Sequence, residues 1–406
     1  MPLEDLRLGF VSDRAAFVDN GLWVDSGVGR VLEVWAGICD RVTLALTASP
    51  QREPFQDMRL SIPVENYLPL PWLPSIARGF HKVWGCRRVI REVERRSDML
   101  IVQLPFAAPL ALLDARRPRL YHLCANIHAM ASTSNAYEGL RRLPAVIAGR
   151  TIDRIQRRLV HSPTARVITN GDELLAHYGH PPGCAVVSTT IQDREILSVP
   201  RRRPADAPFR VLYVGYLRRA KGIDTLVAAF ERVLDRIPGA ELVIVGPRDT
   251  VDHGMTEFLA QKLQGLSHKG TVRQLGHLAF GPELFQQYAD ADVLALPSRS
   301  EGTPRVLIEA RAFGCPVIGT RVGGIPTSIS NEVDGLLVPP DDPAALGDAI
   351  VRVASDCELR ARLVTGGVRR ARASTVESFV RTMAAEIEQL MAGVEVARQA
   401  EPVRSS

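Results

Sequence analysis

The sequence predicts an α/β protein made of two doubly wound parallel-sheet domains. Three observations point that way. Short apolar runs of strand length alternate with amphipathic helical stretches along most of the chain, the order that builds parallel sheets. The length, 406 residues, suits two domains, each large enough for its own core. Between the two strand–helix series lies SVPRRRPADAPF, Ser198 to Phe209, which is rich in Pro and Arg, lacks any period and marks a boundary.

The first series opens on LRLGFVSD (Leu6 to Asp13), a buried strand. A loop through Ser26, Gly27, Val28 and Gly29 leads to a helix from about Arg30 to Cys39, with Val31, Leu32, Val34 and Trp35 on its apolar stripe. Strands follow at Val42 to Leu46, Met99 to Leu104, Leu120 to Cys124, Ala165 to Thr169 and Ala185 to Val187, with helical segments between them. The second series begins with the strand Arg210 to Tyr216. It continues through a helix (Ile223 to Leu234), strands at Ala240 to Gly246 and Thr271 to Leu275, a short helix (Glu283 to Tyr288) and a strand at Val293 to Leu296. Thr303 then stands as a helix N-cap with Pro304 at the first helical position. That helix runs to about Phe313, Gly314 stops it, and Pro316 to Thr320 enters another strand. A last helix, about Val376 to Met391, closes the chain.

Composition narrows the class. The net charge of +5 is modest, but only four lysines occur among the 50 basic residues, so a lysine at a motif position stands out. Six scattered cysteines show no CxxC and no metal-like spacing, which fits a reduced, cytoplasmic setting. No apolar signal core is visible near the start. No apolar run approaches the roughly 18 residues needed to span a bilayer. The expectation is a cytoplasmic protein, at most attached to a membrane surface.

Two loops carry the chemistry. The first is SRSEGTPRVLIEA, in which Glu301 and Glu309 are separated by seven residues. Gly302, Thr303, Pro304 and Arg305 lie at the positive end of a helix dipole, where a diphosphate is stabilised. Glu309, about a turn and a half inside, suits the two hydroxyls of a ribose, and Glu301 those of a second sugar. The plainer alternative pairs Glu309 with Arg305 one turn earlier and leaves Glu301 solvated. The second loop is VGYLRRAKG, running from Gly215 into a helix at Gly222; Lys221 is its point charge for a phosphate, with Arg218 or Arg219 beside it. Gly246 ends the neighbouring strand in the same manner.

Two basic segments stand out in the first half. Arg78, Lys82, Arg87, Arg88, Arg91, Arg95 and Arg96 face only Glu92 and Glu94, with Phe80 and Trp84 interleaved; Arg141, Arg142, Arg150, Arg154, Arg157 and Arg158 face only Asp153. An anionic membrane surface and an ordinary solvated face are equal readings of these segments. No recognition motif accompanies the charge, so nucleic acid is not an expected partner.

The stretch from Pro297 to Asp342 closely resembles the signature of the retaining glycosyltransferases of family 4, which have the two-domain GT-B fold. The matching residues are Pro297-Ser298, Glu301-Gly302, Glu309-Ala310, Gly314, Pro316-Val317, Thr320, Gly323-Gly324 and Pro326, followed by DGLLVPPDD. Lys221-Gly222 matches as well, and Gly27-Val28-Gly29 resembles the glycine loop that opens the first domain, where backbone approaches donor or acceptor. The resemblance departs in three places. Tyr216 stands where the family has Arg, VSTTIQD (Val187 to Asp193) lacks the usual Asn-Gly turn, and no His-Asp pair occurs in LYHLCANIHAM. Asn126 and His128 are the expected sugar or acceptor contacts there, and His122 reads equally as a core histidine.

The resemblance implies two Rossmann-like domains facing a cleft, residues 1–198 on the acceptor side and 209–375 binding the donor. A helix at 376–395 would cross back onto the first domain, and 396–406 would form a flexible tail. It implies a retaining transfer of sugar from a UDP- or GDP-sugar to an acceptor hydroxyl in bacterial polysaccharide or glycolipid assembly. The acceptor would be a carbohydrate, a lipid-linked group or a small molecule, and neither a cofactor nor a metal would be needed. Glu301, Lys221, Asn126 and His128 would act in catalysis; Glu309, the 302–305 turn, Arg218, Arg219, Gly215, Gly246, Gly27 and Gly29 would hold the donor. Two other classes stay open: a GT-B epimerase or hydrolase acting on the donor alone, and an inactive GT-B binding protein.

Overall fold

A computed structural model describes residues 2–53, 55–71, 82–106, 108–113, 116–127, 142–187, 189–204, 206–247, 259, 261–263, 265–266 and 271–400. The chain divides into two compact units, Met1–Val187 with Val376–Ser406, and Ser188–Thr375. The boundary expected at residue 198 lies further upstream. The Thr190 hydroxyl bonds Glu309 and the Leu197 amide bonds the Ala312 carbonyl, which fastens this segment to the second unit.

In the first unit the strands are β1 (Arg7–Val18), β2 (Leu22–Val24), β3 (Arg41–Ala48), β4 (Met58–Leu60), β5 (Met99–Leu104), β6 (Arg119–Leu123), β7 (Ala165–Asn170) and β8 (Gly183–Val186). They form one sheet in the order β4-β2-β1-β5-β6-β7-β8, with β3 also on β1. Pairing among β1, β3 and β5 to β8 is parallel; β2 runs antiparallel to β1 and to β4. The central strands read as near-continuous Val, Ile and Leu because helices cover both faces. Among the described residues these helices include α1 (Ser26–Ile38), α2 (Val83–Arg96), α3 (Arg142–Val160) and α4 (Asp172–His177).

Helix α1 begins four residues earlier than expected. Asp25 caps it, its carboxylate accepting from the Val28 amide at 3.2 Å, and the Ser26 amide donates to Asp57 at 2.9 Å. Gly27 and Gly29 are therefore in the first helical turn and do not form the open loop that the sequence suggested. Gly29 is small because Met58 packs on it: a Cβ there would come within 2.8 Å of the sulfur.

The second unit carries β9 (Arg210–Val214), β10 (Glu241–Val245), β11 (Thr271–Gly276), β12 (Val293–Leu296), β13 (Val317–Thr320) and β14 (Leu336–Val338). Their order is β11-β10-β9-β12-β13-β14, all parallel. Helices whose bounds lie among the described residues include α5 (Ile223–Arg236), α6 (Pro282–Asp290), α7 (Arg305–Ala312), α8 (Ile325–Ser328), α9 (Pro343–Ser355) and α10 (Cys357–Arg372). The chain starts in the middle, moves outward through β10 to β11, then jumps back to β12 on the other side of β9. Adjacent connections leaving β9 and β12 thus diverge, opening a crevice at their carboxyl ends; sheets of this kind bind ligands there.

The closing helix α11 (Val376–Ala400) belongs to the first unit and outlasts its expected end near residue 395. Val376, Phe379, Val380, Met383, Ile387 and Leu390 recur every three or four residues and are buried against α1 and the β6–β7 face. An Arg166–Glu386 ion pair fixes it to β7. The remainder of the predicted tail, 401–406, lies outside the described residues. No helix among the described residues is long and apolar enough to cross a membrane.

Candidate functional site

The crevice of the second unit brings together the two loops that the sequence singled out. After β9, Gly215 and the chain to Lys221 form one side; after β12, residues 297–304 form the other. Arg299 joins them. Its amide donates to the Ala220 carbonyl at 2.9 Å, and its guanidinium donates to the Arg219 carbonyl at 2.5 Å and to Asp224 at 2.7 and 3.0 Å. Burial opposes ionisation of Asp224, but these bonds to Arg299 hold its carboxyl below the usual range. Arg299 gave no sequence signal beyond one Arg among many; its role appears only when the two loops meet.

With the loops so joined, Lys221 Nζ lies 2.6 Å from Glu301 Oε1, and Ser298 donates to the same oxygen at 2.8 Å. The sequence treated Lys221 and Glu301 as ligands of different groups, phosphate and sugar. The structure makes them an ion pair, so Glu301 is not the solvated loop acid of the plainer reading. Beneath them the Tyr213 hydroxyl donates to the Tyr216 carbonyl at 2.8 Å, and burial, then the charge of Glu301, pushes its phenol well above its ordinary range. The Arg218 guanidinium lies 4.5 Å over the ring of Tyr216, the residue that replaces the family's Arg, while the Arg219 side chain is exposed. Gly215 and Gly246 end β9 and β10: the Gly215 amide bonds Val245 and the Gly246 amide bonds Gly276.

Backbone contact holds the crevice in shape. Gly222 has φ +65°, and a Cβ on it would stand 2.0 Å from the Pro297 carbonyl; Gly323 has φ +50°, with its imaginary Cβ 1.8 Å from the Glu301 carbonyl. No other residue fits either place without moving a loop. Gly222→Ala should therefore lower stability by about 2–4 kcal/mol, measured as a fall in the urea midpoint at unchanged slope. An unchanged midpoint would show that the two loops do not touch there.

Helix α7 starts one residue later than predicted. Pro304, at φ −76° and ψ 113°, is the N-cap and makes no side-chain capping bond; Thr303 is outside the helix. The first intrahelical bond runs from the Leu307 amide to the Pro304 carbonyl. Proline also lacks an N–H, so Pro304 offers no donor to an anion, and the amides at this end are those of Gly302, Thr303 and Arg305. Gly324 braces the turn, its amide 3.0 Å from the Gly302 carbonyl.

Glu309 does not pair with Arg305. It is 6% exposed and takes hydrogen bonds from Thr190 at 2.9 Å and Tyr288 at 2.7 Å. Burial, then the charge of Glu309, drives the Tyr288 phenol far above its ordinary range, so this group donates at any physiological pH. Sequence reasoning missed both partners. Thr190 sits where the Asn-Gly turn of the resemblance is replaced by Thr-Thr, and that departure was the available signal.

The carboxyl ends of the first unit's strands carry a second polar array. Ser12 donates to Gln103 at 2.7 Å, Gln103 to the Cys124 thiol at 3.2 Å, and His122 Nε2 lies 3.1 Å from Asn170. His122 is buried, with its ring 5.2 Å from that of Phe379, as the core-histidine alternative requires. Asn126 follows β6 at the same edge and is partly exposed. His128, Arg78, Phe80 and Arg141 lie outside the described residues, as do the side-chain surroundings of Arg142. No group of three or more His, Cys, Asp or Glu among the described residues could hold a metal ion, and the six cysteines are free.

Residues 208–356 match the family model described as Glycosyl transferases group 1. D-inositol 3-phosphate glycosyltransferase of Corynebacterium glutamicum is 29% identical over 282 residues, 64% of each chain; that of Corynebacterium jeikeium is 37% identical over 165 residues, 39% of each. The chain thus spans less than two thirds of the length of these relatives. Among solved structures, Anabaena Alr3699/HepE in complex with UDP is similar with TM-score 0.67 and 17% identity, covering 95% of this chain and 100% of that one. Sucrose-phosphate synthase from Thermosynechococcus elongatus gives 0.65 and 22%, covering 95% and 99%. At these identities the likeness is one of fold, and it is the GT-B fold.

Proposed function

We propose that this chain, a member of the glycosyl transferases group 1, moves a sugar from a nucleoside diphosphate to an acceptor hydroxyl with retention of configuration. The observation that carries the reading is the Lys221–Glu301 pair at 2.6 Å, set where the connections from β9 and β12 diverge. Breaking the bond between sugar and phosphate leaves negative charge on the diphosphate. The Lys221 ammonium has three donors, enough to serve Glu301 and a phosphate oxygen together. Arg218 and the amides of Gly302 and Arg305, at the positive end of α7, add to the stabilisation where that charge develops. Glu301 orients the sugar by accepting from its hydroxyls, and Glu309 accepts from the ribose.

In this reading the acceptor hydroxyl attacks the anomeric carbon from the face that the diphosphate leaves. Its proton passes to a departing phosphate oxygen, so no protein nucleophile takes part. Because fixed cations carry the leaving group, EDTA should leave the rate unchanged; a rate restored only by added Mg²⁺ would reject that part. UDP, held by one of the fold's neighbours, is the first nucleotide to try, and GDP the second. D-inositol 3-phosphate, in the relatives' name, belongs among the acceptors tested, beside saccharides and lipid-linked groups. Products from UDP- and GDP-sugars, with and without acceptor, decide the class. A glycosylated acceptor supports transfer. A new sugar from donor alone indicates an epimerase or hydrolase, and binding without any product an inactive GT-B protein.

The proposal extends to an anionic lipid surface, in keeping with bacterial polysaccharide or glycolipid assembly at the cytoplasmic face of a membrane. Its support is helix α2, where Trp84, 74% exposed, lies on one face with exposed Arg88, Arg91 and Arg95, and Arg87 sits over the indole. Both basic segments are partly neutralised, Arg95 and Arg96 by Glu92 on α2 and Arg157 by Asp153 in the second segment. The triple change of Trp84, Arg88 and Arg91 to alanine should lower binding to phosphatidylglycerol vesicles at least tenfold in flotation, at about 1 kcal/mol per charge. Equal flotation of variant and unmodified protein would reject the lipid surface.

A further inference from the structure

Glu309 is held from two directions by groups far from it in the chain. Thr190 comes from the segment that leads into the second unit, which the bond from the Leu197 amide to the Ala312 carbonyl at 2.8 Å ties along α7. Tyr288 comes from α6, its ring parallel to that of Phe313 at 6.1 Å, just past the end of α7. One hydroxyl reaches each carboxylate oxygen, Thr190 to Oε1 and Tyr288 to Oε2. All three side chains are buried. Two donors on opposite oxygens fix both the rotamer and the plane of the carboxylate, which a single bond would leave free to turn.

We infer that Thr190 and Tyr288 are positioning residues, which set the Glu309 carboxylate plane for the two hydroxyls of a donor ribose. The inference rests on the proposed ribose role of Glu309. A diol makes a stricter demand than one hydroxyl, because two acceptor directions must be right at once. The hydroxyls of Thr190 and Tyr288 touch no substrate; they act through Glu309. Neither position carries this role in the sequence pattern that pointed to the family.

A binding cycle tests it, using UDP and 2′,3′-dideoxy-UDP by calorimetry, with the GDP pair run alongside. Thr190→Val and Tyr288→Phe should each weaken UDP, or GDP if it binds better, about tenfold. The dideoxy nucleotide should bind both variants within about twofold of the unmodified protein, and Thr190→Ser should restore the loss. A purely structural tie would weaken both nucleotides alike and overturn the inference. Unweakened binding by both variants, while Glu309→Gln loses UDP selectively, also overturns it and leaves the ribose role standing. If Glu309→Gln fails to distinguish the two nucleotides, or if neither UDP nor GDP binds the unmodified protein, the underlying reading falls and the inference with it. Should Tyr288→Phe not fold, the Thr190 pair of variants decides alone.

Discussion

Changing Lys221 to alanine should lower sugar transfer about 10²–10³-fold, the cost of removing one group aimed at charge that develops in the transition state. The loss should fall on turnover. Glu301, which keeps its bond from Ser298 at 2.8 Å, is not left without a donor, and the Lys221 side chain is only partly buried, at 25% exposure. The fold should therefore lose no more than about 1 kcal/mol. Lys221→Arg retains the charge in a planar fork that does not match a compact ammonium, and should recover only part of the rate. Initial rates of donor consumption and a thermal melt, taken together, check the claim. Normal turnover in the alanine variant would mean that the ammonium serves Glu301 alone, and the proposed phosphate contact would be lost.

Glu309→Gln should weaken the nucleoside diphosphate about 10–100-fold, from the 1.5–3 kcal/mol expected of hydrogen bonds to a charged acceptor. The change preserves shape but turns one oxygen into a donor, which then meets the hydroxyl of Thr190 or Tyr288. Some stability should go as well. Binding isotherms with UDP and GDP report the first effect and urea midpoints the second. An unchanged affinity for both nucleotides would assign Glu309 to packing only. The two variants separate the halves of the site: Lys221 should govern turnover, Glu309 affinity.

Much of this architecture was legible one segment at a time. Alternating apolar strands and amphipathic helices announced two parallel sheets, and the strands Met99–Leu104 and Val293–Leu296 fall where their apolar runs predicted. Glu301, Glu309 and Lys221 were singled out by the resemblance of the stretches that carry them, since their spacing to glycines and to a helix start left the plainer readings open. Where the local reading failed, an adjacent cap had been passed over or a distant partner had intervened. Asp25, with Asp57 alongside, converts the glycine loop at 26–29 into a helical turn. Thr190 and its neighbours cross to the second unit because Glu309 and Ala312 hold them there.

The sequence alone thus determined the fold class, the main strands of both sheets and the two loops in which charged groups gather, since these depend on periodicity and short-range spacing; the short strands β2, β4 and β14 and the helices α8 to α10 came from the structure. Tertiary structure decided the pairing of those groups: Lys221 with Glu301 across 80 positions, Thr190 with Glu309 across 119, and Arg299 with Asp224 across 75. A hydrogen bond forms at about 3 Å, so its partners are named only once the sheet has fixed which strand ends lie side by side.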